Sequence, residues 1–252
     1  GVDTITSSNG AAQTKAIDGG AGTADKLILG NNTDFGTVAA KAFFTGFETI
    51  QANTGVSVVA SALTGNTFTS AVVSGVASIT GLTATAAANV TDIATGNKTI
   101  SITGATTVGQ IDTVNIAVNN GTAAVDTITN ATPVLAGIEK LNITTTDNYI
   151  VSALTSATAL TNVTVAGSGT TSITTGALAL NVNTTIDASA STGAVTIDAT
   201  AATANGLSIT GSATAVNILT GNAAALDSVI TGGAAGDTLT GGAGDDTIVG
   251  SE

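Results

Sequence analysis

The chain has 252 residues and a formal net charge of −12, from 17 acidic residues against five Lys, and it contains no Cys, His or Arg. These counts exclude a Ser-His-Asp triad, a Cys-His catalytic pair and a zinc site built from thiolates or imidazoles. An acidic chain with five scattered Lys also has no basic surface for DNA or RNA, so we expect no nucleic-acid partner.

The apolar content favours a folded protein outside the membrane. Hydrophobic residues make up 43% of the chain and the mean hydropathy is +0.45, which argues against disorder. Thr, Ser, Asn or Gly interrupts every apolar run before about 18 residues, so we expect no membrane span. The first residues also lack the charged and apolar regions of a Sec-type signal.

Short alternating segments of Val, Ile and Thr predict strands along most of the chain. The best helix candidate is 38–44, VAAKAFF. In the second half the strand centres follow one another at short, fairly even intervals. They lie near Thr164, Ile173, Asn181, Thr196, Ser208, Asn217, Val229, Leu239 and Ile248, with a shorter segment near Ile186.

This spacing indicates a stacked repeat architecture. We predict an all-β fold, a right-handed parallel β-helix or β-roll solenoid with short strands and irregular loop excursions. Two or three strands per coil correspond to coils of about 18–30 residues. About a dozen coils at about 4.8 Å per strand would form a rod about 50–60 Å long, with a thin core that suits the low aromatic content.

A longer repeat combines an Asp-led strand with a Glu-led one. The pattern D-x-[LV]-x-[IL] at 25–29 is followed by G-[FI]-E-x-[IL] at 46–50, and the same pair recurs at 112–116 and 137–141. We interpret the segments between them, which hold most of the Phe residues, as local widenings of the rod with small satellite cores. Coincidence in a low-complexity sequence is the alternative.

These features divide the chain into three regions. Residues 1–145 form a β-helical or β-roll region with two loop-bearing modules, at about 19–52 and 108–145. Residues 146–220 form a regular β-solenoid. Residues 221–252 form a glycine- and aspartate-rich β-roll that is truncated at the C-terminus.

A nonapeptide motif stands out in the last of these regions. Residues 241–249, GGAGDDTIV, match the pattern GGxGxDxUx at every fixed position, where U is a large apolar residue. Residues 232–240 depart from it only at Ala235, which replaces the third Gly. A further copy begins at Gly250, and Asp227 keeps the Asp-x-U end of an earlier one.

The same motif occurs near the N-terminus, at 19–27, with one inserted residue, and 1–6 has the form of the end of another copy. Its residue types suit a hard cation. Gly permits turns with positive φ that expose carbonyl oxygens, and Asp adds an anionic oxygen of the kind that Ca²⁺ prefers. A glycine-rich turn with a solvated Asp is the alternative.

The motif resembles the calcium-binding nonapeptides of RTX proteins, which form a parallel β-roll. The resemblance implies Ca²⁺ at turns on alternate edges of the roll, with Asp227 and Asp246 on one edge and Asp237 on the other, beside a turn that this chain has lost. The metal-site residues that it implies are Gly232, Ala234, Gly236, Asp237, Gly241, Ala243, Asp245, Asp246, Asp227, Gly19, Ala21 and Asp25.

Four other acids are weaker candidates. Asp187 and Asp198 follow strand segments at matching positions and could bind ions, but solvated turn caps are the favoured interpretation. Glu48 and Glu139, in the longer repeat, could support a metal site or an interface, and a role within the turn fits them equally well.

The composition of the chain, which is rich in Thr, Ala and Gly and has no Cys, and its two Asp/Glu modules are similar to those of Gram-negative surface-layer (S-layer) proteins of the calcium-dependent RTX type found in Caulobacter-like bacteria. The resemblance implies type I secretion, a cell-surface location and self-association into a lattice or filament. It also implies a neighbouring domain, not contained in this sequence, that anchors to lipopolysaccharide. We therefore expect a secreted structural protein with Ca²⁺ as its cofactor and no enzyme activity.

Two other functions stay open at this point. The chain could be a calcium-folded binding module of an RTX adhesin or of a larger secreted enzyme, with ice binding as a special case suggested by Thr pairs such as Thr170-Thr171. It could also be a β-helical polysaccharide lyase or hydrolase, in which paired carboxylates act as acid and base. Tyr149 and five Lys would then have to supply every other sugar contact.

Overall fold

The structure is a computed structural model that describes residues 1–8, 10–105, 107, 109–130, 132–154, 159–175, 183–203, 206–233 and 236–250. Short strands dominate it. The strands are β1 Thr4–Ser7, β2 Ile17–Asp18, β3 Lys26–Leu29, β4 Phe44–Thr45, β5 Thr49–Ala52, β6 Ser57–Val59, β7 Ser70–Val73, β8 Ala77–Leu82, β9 Val90–Asp92, β10 Lys98–Ile102, β11 Thr113–Val118, β12 Thr127–Asn130, β13 Lys140–Thr145, β14 Asn148–Val151, β15 Asn162–Gly167, β16 Thr171–Thr174, β17 Thr185–Ser191, β18 Val195–Asp198, β19 Leu207–Thr210, β20 Asn217–Thr220, β21 Ser228–Thr231, β22 Thr238–Thr240 and β23 Thr247–Val249. The helices are α1 Val38–Ala42, a 3-10 turn Ala60–Ala62 and α2 Ala84–Ala87.

The strands stack as a parallel β-solenoid, which confirms the predicted fold class. All odd-numbered strands form one 12-stranded sheet, which we call the long sheet. The even-numbered strands form sheets of two (β2, β4), three (β6, β8, β10) and six strands (β12 to β22). Each coil therefore alternates between the long sheet and one of these short sheets. At about 4.8 Å per strand the long sheet extends about 53 Å.

The coils have unequal lengths within the predicted range. Val229 pairs with Thr247, 18 residues further along the chain, whereas Thr113 pairs with Lys140, 27 residues further on. The long sheet keeps its register through these changes because the extra residues are accommodated in the turns and loops between strands.

The core is a set of stacked apolar positions, since a parallel ladder in register places equivalent residues directly above one another. Strand β17, which contains Ile186, contributes to this core. It is seven residues long, so the prediction of a shorter strand near Ile186 was wrong. One stack in the long sheet consists of Val114, Leu141, Val163, Ile186, Ile209 and Ile230, all buried.

The aromatic residues of the first loop excursion extend this core. Phe35, Phe44 and Phe47 are buried and belong to the same hydrophobic cluster as the stacked strands, so the predicted separate satellite core was wrong there. The predicted helix at 38–44 ends at Ala42, after a start at which the Thr37 hydroxyl accepts a hydrogen bond from the Ala40 N–H. Phe44 instead begins β4 and turns into the core.

The short sheets are interrupted twice, between β4 and β6 and again between β10 and β12. Strand β10 is the last of the three-stranded sheet and β12 is the first of the six-stranded sheet. Among the described residues, the isolated bridge of Thr99 to Val134 and a 2.8 Å hydrogen bond from the Gly96 N–H to the Thr129 carbonyl link these coils on that side. Within the described ranges, no helix has the length and apolarity needed to cross a bilayer.

Candidate metal sites at the glycine-rich corners

The C-terminal repeat places its acids at the start of neighbouring strands of the long sheet. Asp246 directly precedes β23, and its Oδ1 accepts a 2.8 Å hydrogen bond from the Ser228 N–H. The Asp245 N–H donates to Asp227 Oδ1 at 3.0 Å. Asp227 and Asp246 thus lie on one edge as expected, although the residue in register with Asp246 is Ser228.

Asp237 lies on the other edge, before β22 of the six-stranded sheet. Its Oδ1 accepts hydrogen bonds from the backbone N–H and the side-chain amide of Asn217, at 2.7 and 2.9 Å. Its Oδ2 is buried and has no hydrogen-bond partner among the described residues. One carboxylate oxygen of Asp237 therefore faces the interior of the corner without a donor.

The turn beside Asp237, expected to be lost, is present in an altered form. It begins at Gly211 and ends at Asn217, which occupies the position of the motif Asp. The Asn217 amide nitrogen donates to the carbonyls of Ser212, Ala215 and Gly232 at 3.0, 2.9 and 2.9 Å, besides Asp237 Oδ1. Asn217 was not predicted as a site residue, and the signal that could have found it is the spacing Gly-x₅-Asn in the coil before Asp237.

Glycine is required at the first position of each turn because the Asp carboxylate lies against it. A Cβ on Gly232 or Gly241 would clash with Oδ2 of Asp237 or Asp246, respectively. The later glycines of the motif have the positive φ that the turn needs, with φ of 90° at Gly236. At each of these corners a carboxylate oxygen therefore occupies the space that a side chain on the first Gly would need.

The N-terminal copy has the most buried acid of the group. Asp25 is fully buried, its Oδ1 accepts a 2.7 Å hydrogen bond from the Asp3 N–H, and its Oδ2 has no described partner. A Cβ on Gly22 would clash with that same Oδ2. Burial lowers the pKa of Lys26, the residue after Asp25. Lys26 does not pair with the Asp25 carboxylate, since the one salt bridge among the described residues joins Lys98 and Asp92.

The two Glu residues of the longer repeat have a turn role. Glu48 Oε2 accepts the Asp25 N–H at 2.9 Å, and Glu139 Oε2 accepts the Asp112 N–H at 2.8 Å. Asp112, like Asp25, is buried and keeps one carboxylate oxygen, Oδ2, without a described partner. Each Glu thus caps the strand that begins one coil earlier.

The other predicted residues contribute less. Ala21 and Ala243 are exposed, and the Ala243 carbonyl already accepts the Leu226 N–H at 3.1 Å. Gly19 is buried at a corner, where its N–H donates to the Thr45 carbonyl. Ala234 lies outside the described residues.

Asp198 ends β18 and is a turn cap, as favoured, but the prediction was wrong for Asp187, which lies half-buried inside β17 beside a register shift in its pairing with β15. Asp187 Oδ1 accepts the Ser189 N–H at 2.9 Å, and Asp198 Oδ1 accepts the N–H and the hydroxyl of Thr200 at 3.0 and 2.7 Å. Each of these carboxylates therefore accepts hydrogen bonds from a residue two positions further along its own chain segment.

Each corner offers a hard cation one carboxylate oxygen rather than a cluster of acidic side chains. No group of three or more Asp and Glu side chains converges within the part of the chain that the structure describes. A cation would therefore take one carboxylate oxygen from Asp25 or Asp237 and would draw its other ligands from backbone carbonyls and water. The buried oxygens without donors and the space left by glycine are the features that support this fit.

The grooves between coils offer no comparable chemistry. Three grooves of about 350, 390 and 250 Å³ are lined by Ala, Ser, Thr, Asn, Gly and apolar side chains, with no acid or Lys among the lining residues. Comparison of the chain with protein-family models, with curated proteins and with solved structures finds no match.

Proposed function

We propose that this chain is a structural segment of a secreted surface layer, in which Ca²⁺ bound at the glycine-rich corners stabilises the solenoid and its contacts with other copies. The observation that carries the proposal is the pair of buried carboxylate oxygens, Asp25 Oδ2 and Asp237 Oδ2, that face glycine corners and have no donor among the described residues. A buried anionic oxygen without a partner destabilises the fold, and a bound cation removes that penalty.

Calcium is the cation that suits these corners. It accepts six to eight oxygen ligands in irregular geometry, including backbone carbonyls, whereas Mg²⁺ requires a near-ideal octahedron. Extracellular calcium modules typically have Kd values of about 10⁻⁴–10⁻³ M. At tenfold saturation each site adds about 1.4 kcal/mol to the free energy of unfolding. A few such sites would stabilise a chain that has no Cys for disulfides.

Charge and shape support the structural role. The net charge of −12 opposes close contact between copies, and Ca²⁺ relieves that repulsion where exposed acids such as Asp227 and Asp245 face a neighbour. A stack with one long parallel sheet presents strands at a regular spacing along its length, which suits repetitive association.

The test combines folding and assembly measurements on the full chain. Circular dichroism melts in millimolar Ca²⁺ and in chelator should show a higher melting temperature with Ca²⁺, and electron microscopy should show ordered assemblies with Ca²⁺ alone. Asp25→Asn should reduce the Ca²⁺-dependent shift, whereas Asp187→Asn, at a half-buried position in β17 away from the glycine-rich corners, should keep it. Equal melts with and without Ca²⁺ would exclude the calcium role. A calcium-dependent melt with monomers at every concentration would replace the surface-layer role by that of a calcium-folded binding module.

A further inference from the structure

A buried polar cluster lies in the core, away from the corners. Asp92 ends β9, Lys98 begins β10, Asn130 ends β12 and Tyr149 lies in β14, and each is at most 1% exposed. The Lys98 Nζ lies 3.0 Å from Asp92 Oδ1. The cluster occupies the place where strand pairing between the three- and six-stranded sheets is interrupted.

An amine and a carboxyl group are here held together in a site without water contact. Removing two charges from water carries a large desolvation penalty, which the attraction between them only partly offsets. Burial raises the pKa of Asp92 and lowers the pKa of Lys98, and both shifts favour the neutral acid and the neutral amine. These are the forms that condense to an amide.

We propose that Lys98 and Asp92 form an intramolecular isopeptide bond in the folded protein. The lone pair of the neutral Lys98 Nζ attacks Cγ of the protonated Asp92, so that a C–N bond forms. The bond between Cγ and Oδ1 breaks, and this oxygen leaves as water with the acid hydrogen and one amine hydrogen. The step is a dehydration, so nothing is oxidised or reduced. The enforced proximity of the two groups replaces a diffusional encounter.

Neighbouring groups are placed to assist both the reaction and its product. The Tyr149 hydroxyl donates to Asp92 Oδ2 at 3.3 Å, where negative charge develops in the tetrahedral intermediate. The Ala94 carbonyl accepts a hydrogen bond from the Lys98 Nζ, which orients the amine. In the product the amide N–H donates to Ala94 and the amide oxygen accepts from Tyr149. A neutral hydrogen-bonded amide thus replaces two buried charged groups.

The bond would bridge a corner of the solenoid. Asp92 belongs to the long sheet and Lys98 to the three-stranded sheet, and residues 93–97 form the turn between them. The turn is tight, since a Cβ on Gly96 would clash with the backbone of Gly75 in the coil before it. The isopeptide bond would therefore fix this corner covalently in a chain without cysteine.

Mass spectrometry under denaturing conditions tests the proposal directly, because an ion pair does not survive it. The full chain, purified folded and incubated, should have an intact mass lower than the sequence mass by one water. Trypsin should cut after Lys41 and Lys140 but not after Lys98, and fragmentation should show residues 92 and 98 joined. The same chain recovered unfolded from inclusion bodies and kept in urea should retain its full mass.

Two results would overturn the proposal. One is a full intact mass for the incubated folded protein. The other is a water loss with normal trypsin cleavage after Lys98, which indicates a succinimide at an Asp. Tyr149→Phe removes only a hydroxyl and should give a slower conversion, seen as a mixture of the two masses. Lys98→Met should keep its full mass, and because the wild-type measurement stands alone, the test does not depend on this variant being folded.

Discussion

The Glu48 carboxylate accepts a 2.9 Å hydrogen bond from the backbone N–H of Asp25, one coil earlier. The Asp25 carbonyl in turn accepts the N–H groups of Glu48 and Thr49, both at 3.0 Å. Glu139 and Asp112 repeat this arrangement, with 2.8 Å for the carboxylate bond. The two copies of the Asp/Glu pattern therefore form the same hydrogen-bonded unit.

We expect Glu139→Ala to lower the free energy of unfolding by about 1–3 kcal/mol, because the Asp112 N–H loses a charged acceptor in a partly buried site. Glu139→Gln keeps an acceptor oxygen and should lose less. Denaturant unfolding measures the change, and hydrogen exchange should show faster exchange at the Asp112 amide. Thr144→Ala, an exposed position in the same strand, is the control. Equal stability of the Ala variant and this control would contradict the capping role.

Gly241→Ala should destabilise the C-terminal coils by about 1–3 kcal/mol, because its Cβ would overlap the Asp246 carboxylate and force the corner open. Gly250→Ala is the matched control, since a Cβ there meets no atom within 4 Å. Hydrogen exchange of the amides in β23 compares the two variants. Similar protection in both variants would show that the close approach of Asp246 to Gly241 does not affect the stability of these coils.

Asp237→Asn should separate the cost of an unpaired carboxylate from the benefit of a cation. In chelator we expect its stability to equal or exceed that of the wild type, because a buried anionic oxygen without a donor is removed. In Ca²⁺ at tenfold saturation the wild type should be more stable by about 1.4 kcal/mol. Melting with and without Ca²⁺ gives both differences, and Asp198→Asn, a turn cap, controls for lost charge. A variant less stable than the wild type by the same amount in both buffers would mean that Asp237 serves only as a hydrogen-bond acceptor.

The sequence predicted the repeat architecture because the signals are local. Alternating Val, Ile and Thr mark strands, and glycine followed by aspartate marks corners, so the parallel solenoid and the coil length range follow from the spacing. Long-range register is not encoded in the same local way. Ser228 therefore takes the level that Asp227 was expected to share with Asp246, and Asn217 was passed over because it replaces an acid. The meeting of Asp92, Asn130 and Tyr149 depends on the register of coils far apart in sequence.

Tyr149, the only tyrosine of the chain, should report alkaline unfolding. Burial raises the pKa of its phenol above the ordinary value of 10. The folded pKa is thus above the unfolded one, so stability is complete below pH 10 and falls as the pH rises beyond it, by up to about 1.4 kcal/mol per pH unit. The phenolate absorbance band should appear only when circular dichroism shows unfolding. Tyr149→Phe should lack this component of alkaline destabilisation, and phenolate formation in the folded protein would contradict the burial argument.

Asn217→Asp should convert an amide-filled corner into a cation-dependent one. The Asn217 amide nitrogen lies within hydrogen-bond distance of three carbonyls and of Asp237 Oδ1, so its two hydrogens are shared among four converging oxygens. An Asp in its place brings a second carboxylate toward Asp237, and repulsion between two carboxylates about 5 Å apart is about 3 kcal/mol at an effective dielectric of 20. In chelator we therefore expect a large loss of stability in the coils from β20 onward, seen by hydrogen exchange. Millimolar Ca²⁺ should restore protection, because these oxygens are the ligand type that it accepts. Asn217→Ala removes the donor without adding charge and should be destabilised in both buffers. Rescue of this Ala variant by Ca²⁺, or failure of Ca²⁺ to rescue the Asp variant, would show that the oxygens around Asn217 do not form a cation site.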